Sequence, residues 1–240
     1  MNKMGATNNR IAIILARGGS KRVPLKNIRP FCGQPMVTWV VRHTVESQLF
    51  SQVIISTDSE EIAQAAVSYG ATYHGPRPPE LSNDYATTAE VLQYVLNSLE
   101  KEGVLPEKCC CLYGTSAMVT SKILKQGLNL LNKPETELVI SLMRYNHPIE
   151  RALVVTENET VIYKKPEYAS IRTQDLTEAY YDAGLFYWLH VPSFLKQNRT
   201  NFSSLVKRGC VVSRFDTIDI DTEEEWREAE KLARMHNLNC

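Results

Sequence analysis

The stretch Ile11-Ala12-Ile13-Ile14-Leu15-Ala16, followed at once by Arg17-Gly18-Gly19-Ser20-Lys21-Arg22-Val23-Pro24-Leu25-Lys26-Asn27, decides how the rest of the chain is read. A continuous apolar run ended by a glycine-containing turn is the pattern of a strand buried on both faces, as in parallel sheets. The loop after such a strand lies at the carboxyl edge of the sheet, where open α/β folds bind their ligands. Its two glycines let backbone N–H groups approach a phosphate closely, and Arg17, Lys21, Arg22 and Lys26 add positive charge. The loop reads as a polyphosphate cradle, with a solvated basic turn as the alternative. It holds neither GxxxxGK[ST] nor GxGxxG, so it is not a P-loop or a dinucleotide fingerprint.

Outward from this loop, strand-like and helix-like segments alternate, which predicts an α/β protein with helices on both faces of a sheet. Helices are expected at 35–48, with Pro35 as the first helical residue, at 58–69, at 87–100 and at 121–131. Strands are expected at 52–57, 109–113 and 137–143. Residues 144–181 lose the regularity and read as an insertion or arm. Strands resume at 186–189, 210–212 and 217–220, and an acidic amphipathic helix closes the chain over 222–235. Residues 1–240 read as one domain.

The 240 residues hold 27 Lys plus Arg against 27 Asp plus Glu, and 43% are hydrophobic. Zero net charge argues against a general nucleic-acid partner. Apolar runs such as 11–16 fall far short of the roughly 20 residues of a membrane span. The polar residues 1–10 lack the apolar core of a secretion signal. Six cysteines, three of them adjacent at 109–111, suit neither a disulfide framework nor a CxxC metal site, so a reduced, cytoplasmic protein is expected. The neutral total hides an asymmetry. Up to Val45 there are eight basic residues and no acid, whereas 216–230 holds eight acids and one base, Arg227. An anion site and a cation site sharing one cleft would account for both ends.

The cation site is Asp219-Ile220-Asp221-Thr222. In a strand, residues two apart point the same way, so both carboxylates would face one point while Ile220 faces the core. Two carboxylates with open coordination positions suit Mg²⁺ shared with substrate phosphates. The alternative is that Asp221 or Thr222 simply caps the next helix. Other motifs say less. Gly114-Thr115-Ser116-Ala117-Met118 lacks the second glycine of a nucleophile elbow, and the five histidines have no ligand spacing. The cysteine triplet reads as small hydrophobes in a strand.

Taken in order, Ala16-Arg17-Gly18-Gly19-Ser20-Lys21 with Pro24-Leu25-Lys26-Asn27, Ser56-Thr57-Asp58, Arg77-Pro78 with Leu81 and Asp84, and Asp219-Ile220-Asp221-Thr222 resemble the signature blocks of the CMP-sialic acid synthetase family of cytidylyltransferases. Arg172-Thr173-Gln174-Asp175-Leu176, Tyr180 and Asp182-Ala183-Gly184-Leu185-Phe186-Tyr187-Trp188 are most similar to the branch that activates pseudaminic acid. The family's Gln-Pro-Thr-Ser-Pro block is here Tyr113-Gly114-Thr115-Ser116-Ala117. The resemblance implies a Rossmann-like nucleotidyltransferase fold, mostly parallel, with a small dimerisation arm at about 144–181 and hence a homodimer. It implies that CTP and a nine-carbon 2-keto sugar acid give a CMP-sugar and pyrophosphate. Arg17 and Lys26 are then the catalytic contacts to the triphosphate. Ala16, Gly18, Gly19, Ser20, Lys21, Asn27, Arg77 and Asp84 form the nucleotide site, and Tyr181, Asp182 and Phe186 the sugar site. Asp219 and Asp221 hold Mg²⁺, for which Mn²⁺ substitutes. Two rival expectations remain: a relative using N-acetylneuraminic, legionaminic or 3-deoxy-manno-octulosonic acid, and a non-catalytic nucleotide-binding protein.

Overall fold

In a computed structural model, which describes residues 9–196, 201–215 and 220–235, the opening apolar run is strand β1 (Arg10–Leu15), buried from Ile11 onward. The chain continues through a short hairpin, β2 (Pro30–Phe31) and β3 (Gln34–Pro35), into α1 (Met36–Glu46), β4 (Gln52–Ser56), α2 (Glu60–Val67) and β5 (Thr72–Tyr73). Next come α3 (Thr88–Lys101), β6 (Lys108–Tyr113), α4 (Ser121–Leu131) and β7 (Leu138–Arg144). A hairpin of β8 (Leu153–Val155) and β9 (Val161–Tyr163) precedes β10 (Tyr180–His190), α5 (Val191–Leu195), β11 (Lys207–Val211) and α6 (Glu223–Met235).

Seven strands form one sheet in the order β11-β7-β10-β6-β1-β4-β5. All pairings are parallel except those of β10, which runs against both β6 and β7. The mostly parallel α/β architecture agrees with the sequence expectation. The reversal of β10 has a simple cause. No helix carries the chain across the sheet between β7 and β10, so after the β8–β9 excursion it re-enters at the edge it left, and only an antiparallel pairing is open to it.

Strand periodicity sorts the core into two layers. Ala12 and Ile14 of β1 and Cys110 and Leu112 of β6 share a layer with α1, α2, α4 and α6, whereas Ile11, Ile13, Leu15, Cys109 and Cys111 face α3 and α5. Burying a large apolar side chain contributes about 1.5–3 kcal/mol, so these layers dominate the folding energy. Cys109, Cys110, Cys111 and Cys210 are buried free thiols; burial pushes the triplet far above the ordinary thiol range, which leaves them inert. Cys32 departs from the all-thiol expectation, being disulfide-bonded.

Several boundaries differ from the sequence reading. Pro35 precedes α1 rather than opening it, because its backbone closes the β2–β3 hairpin opposite Pro30. The aromatic run 186–189 is the second half of an eleven-residue strand, and the irregular arm narrows to 145–179 between β7 and β10. Of the strand expected at 217–220, residues 217–219 lie outside the described residues, and Ile220 and Asp221 are not in a strand.

Gly127 tests the packing of α4 against the sheet. A Cβ there would stand 2.6 Å from Trp188 Cδ1 and 2.7 Å from Phe186 Cε2, both in fully buried rings. Gly127→Ala should gain about 1 kcal/mol of helix propensity but lose about 1–3 kcal/mol to overpacking. Because neither ring has room to move, thermal denaturation is expected to show a lower Tm; an unchanged or higher Tm would mean that α4 lifts off freely.

Candidate functional site

From β1 the chain leaves through β4 and β5 to one side and returns through β6 on the other, so β1 and β6 frame a topological switch point, where α/β sheets open a crevice. A cleft of about 290 Å³ lies there. Arg17, Ser20, Lys26 and Asn27 of the loop after β1 form one side; Arg77, Asn83, Asp84 and Thr88 line another; Tyr113 and Thr115, at the end of β6, complete it.

The loop is shaped by backbone contacts. Asn27 Nδ2 donates to the Arg17 carbonyl at 2.8 Å, and the Gly114 N–H donates to the Leu15 carbonyl at 2.9 Å. Gly114 is required by close approach, because a Cβ there would overlap Asn27 Oδ1 and come within 2.9 Å of Ala16 Cβ. The departure from the family's proline-containing block thus accompanies an asparagine pressed against the β6 loop. Gly18 N–H donates to Asp58 Oδ1 at 2.8 Å.

Every cation of the loop meets an acceptor. Arg17 Nη1 and Lys21 Nζ each lie 2.6 Å from a different oxygen of Asp84. Lys21 first, and Arg17 with it, hold the Asp84 carboxyl below its usual range. Arg22 lies 2.7 Å from Asp221 Oδ1, and Lys26 lies 3.5 Å from the same oxygen while also donating to the Ile220 carbonyl. Arg77 is different. Only 6% exposed, it donates from Nε to Ser82 Oγ at 3.2 Å and makes no ion pair among the described residues. Burial lowers its pKa, with Asp58 acting in the opposite direction, yet a guanidinium stays protonated. A buried cation without an ion pair is costly, so this wall of the cleft suits an anion.

The structure gathers Arg17, Ser20, Lys26, Asn27, Arg77 and Asp84 at the cleft. Gly19 is exposed, and the side chains of Lys21 and Arg22 are 80% and 72% exposed. Ala16 needs a correction: it is buried and its N–H donates to the Ser56 carbonyl, so its side chain shapes the loop from beneath rather than lining the cleft. Phe186 also needs one. It is 0% exposed, in the layer beneath α4, because strand alternation turns it to the opposite face of the sheet from Tyr187, away from the sugar site that the resemblance implied. Tyr181 is exposed at the start of β10, its ring 4.8 Å from Tyr145, and Asp182 is exposed beside it. Asp219 lies outside the described residues. The same-face strand argument for Asp219 and Asp221 does not hold at Asp221, which stands in the cap of α6. There Thr222 Oγ1 accepts from Glu225 N–H at 3.2 Å, and Glu225 returns a bond to the N–H groups of Asp221 and Thr222 at 2.8 Å. Thr222 therefore does the capping, and the Asp221 carboxylate is left to face Lys26 and Arg22.

Sequence reasoning missed Asp58 as a loop contact, and Asn83, Thr88, Tyr113 and Thr115 as walls. Asp58 and Thr115 follow strands at the carboxyl edge, the position that singled out the basic loop, and were open to the same argument. Asn83 and Thr88 carry no such signal. Among the described residues no group of three His, Cys, Asp or Glu side chains forms a ready metal cage, and no helix is long and apolar enough to cross a membrane.

A family described as Cytidylyltransferase matches residues 11–238. The chain belongs to the cytidylyltransferase family. Within it the chain stands among the CMP-sialic acid synthetases and is a CTP-dependent enzyme. It is 33% identical, over 95% of its length and 97% of the relative's, to a pseudaminic acid cytidylyltransferase of Campylobacter jejuni. An N-acylneuraminate cytidylyltransferase of Danio rerio is 38% identical over 55% of this chain and 30% of its own. Among solved structures, a CMP:2-keto-3-deoxy-manno-octonic acid synthetase complexed with CTP superposes with a TM-score of 0.71 at 17% identity, covering 95% of this chain and 99% of its own. At that identity the likeness shows the shared fold.

In this cytidylyltransferase the loop cations are expected to stabilise developing charge. Arg17→Ala and Lys26→Ala should each lower kcat/KM for CTP by at least about a hundredfold, since loss of one preorganised donor costs about 2.7–4 kcal/mol. Arg17→Lys should not restore activity if the guanidinium grips two oxygens. Steady-state rates within twofold of wild type would return the loop to a solvated turn.

Proposed function

We propose that the enzyme activates pseudaminic acid with CTP, giving CMP-pseudaminic acid and pyrophosphate. Family membership carries the coarser statement, cytidylyl transfer from CTP to a sugar acid. The observation that carries the nucleotide reading is the cleft at the β1–β6 switch point, with Arg17 and Lys26 on one side and the buried Arg77 on another. The choice of sugar is supported by near full-length similarity to the Campylobacter enzyme and by the block from Asp182 to Trp188.

In the reaction, the anomeric hydroxyl oxygen attacks the α-phosphorus of CTP. A new P–O bond forms, the bond to pyrophosphate breaks, and the hydroxyl proton passes to solvent water. Negative charge builds on the phosphoryl oxygens and on the departing pyrophosphate, so positioned cations supply most of the rate. Arg17, Lys26 and Arg77 hold the triphosphate, and Asn27 fixes the Arg17 backbone. Tyr113, whose phenol is pushed up to about 12 by burial, stays neutral as a wall of the cleft and pairs with Thr88 Oγ1 at 2.7 Å.

The donor chemistry at Asp221 fits Mg²⁺, which takes one or two carboxylates and completes its shell with phosphate oxygens and water. Asp221, with Asp219 as the second carboxylate, would hold the ion. Bound there, Mg²⁺ supplies charge neutralisation along the triphosphate.

A homodimer is part of the same reading. All six residues of β8 and β9 are exposed, among them Leu153, Val155, Val161 and Ile162 at 53–69%. An isolated two-stranded hairpin with apolar side chains is marginal in water, and a second copy of the chain would cover it. Val155→Asp with Ile162→Asp should shift the protein from dimer to monomer in light scattering; a wild-type chain that is already monomeric removes the dimer.

The substrate is tested by a panel of pseudaminic, legionaminic, N-acetylneuraminic and 3-deoxy-manno-octulosonic acids with CTP and Mg²⁺, read by pyrophosphate release and product mass. Pseudaminic acid should be preferred, and sites built to pair with polar substituents discriminate by about 10⁴ or more. Equal turnover of N-acetylneuraminic acid removes the branch assignment and leaves cytidylyl transfer standing. Excess chelator should abolish turnover, and Asp221→Ala should lose far more kcat than CTP affinity.

A further inference from the structure

We propose that Tyr187 is a positioning residue for the sugar acid: its phenol holds the Asp182 carboxylate at the mouth of the cleft, where it accepts hydrogen bonds from a hydroxyl or amide N–H of the substrate. This rests on the sugar-acid reading above.

The backbone here is arranged for that contact. Residues 182 and 187 are five apart, and in a regular strand they would point to opposite faces. β10 instead pairs with β7 at 180–182 and again at 187–189, with a register shift between. Within the shift, Gly184 has φ +61°, Ser141 Oγ accepts the N–H groups of both Leu185 and Phe186 at 3.1 Å, and Ser116 Oγ donates to the Leu185 carbonyl at 2.8 Å. The irregularity restores a common side. Tyr187 OH donates to Asp182 Oδ2 at 2.5 Å, while Gly184 N–H donates to Oδ1 at 2.9 Å. One protein donor on each oxygen fixes the carboxylate in place and leaves lone pairs on both for a ligand.

The link continues into the nucleotide cleft. The Tyr187 ring is 8% exposed and stands edge-on to Tyr113, centroids 6.0 Å apart, and Tyr113 lines the cleft. Burial, together with the neighbouring Tyr113 and Asp182, raises the Tyr187 phenol far above its ordinary range, so it remains a donor throughout the working pH range. Asp182 is thereby set just beyond the wall that bounds the nucleotide. An ionised carboxylate accepts and does not donate, and it repels another carboxylate. The acid group of the substrate must then lie towards the basic loop, and Asp182 reads hydroxyl or amide groups on the rest of the sugar. Discrimination between sugar acids that differ in those substituents follows from leaving this acceptor unpaired.

Tyr187→Phe keeps the ring and deletes the donor. With the sugar acid that wild type uses best, its KM should rise about tenfold, the range expected for losing a hydrogen bond to a charged group. KM for CTP should stay within twofold and Tm within about 2 °C. Asp182→Asn should raise the same KM at least as much, and the double variant should be no worse than Asp182→Asn, because both act through one carboxylate. Preference across the sugar panel should narrow in both. Equal rises in the two KM values, a lowered Tm, or an unchanged sugar KM would overturn the positioning role. The wild-type panel keeps the failures apart: if no sugar acid releases pyrophosphate from CTP, the sugar-acid reading fails and takes this proposal with it.

Discussion

Four cations on one loop repel one another, and the carboxyl edge of this sheet holds because acids from remote parts of the chain face them. Asp84, ahead of α3, spans Arg17 and Lys21; Asp221, ahead of α6, faces Arg22 and Lys26; Asp58, after β4, takes the N–H of Gly18. Exposed ion pairs of this kind contribute little stability each, so their effect is mainly geometric. Of the three acids, Asp221 belongs to the acidic end of the sequence. The acidic end of the chain folds back onto the basic beginning, with Arg29 bridging to Glu223 at 2.5 Å and lying 4.4 Å over Trp226.

The proposed nucleotide and sugar sites lie on different parts of this architecture. The proposed nucleotide side lies where parallel strands end, and buried Arg77, which makes no ion pair among the described residues, adds positive charge there. The proposed sugar side lies where β10 begins. Because that strand alone is inverted, its first residues arrive at the same edge as the last residues of β6 and β7. A wholly parallel sheet would have put them at the opposite end, far from the loop. Reversal of one strand thus brings Asp182 and the basic loop to the same edge of the sheet.

Much of this was legible in the chain. The apolar run at 11–16, the helix at 121–131 and the sorting of the cysteine triplet into a strand depend on local periodicity, which sequence displays directly. The basic loop was legible because charge and glycine coincide at a strand end. What sequence hid depends on pairing between distant segments. The register shift in β10 rests on Ser141 and Ser116 meeting residues about 45 and 70 positions away, and nothing local announces it. Without the shift, the common side on which Asp182 and Tyr187 meet cannot be read from the sequence. Asp84 was found by resemblance, but its bonds to Arg17 and Lys21 needed the fold.

Strand order also has a consequence during synthesis. By the time residue 144 is made, the segments for β1, β4, β5, β6 and β7 exist, but β10, which separates β6 from β7, is still to come. The edge of β6, lined by three buried cysteines and Leu112, has no neighbour until residue 190 leaves the ribosome. An apolar strand edge left open in this way invites pairing with other chains. The nascent enzyme therefore passes through a window of about forty-five residues, roughly two to nine seconds at ordinary elongation rates, in which it depends most on chaperones.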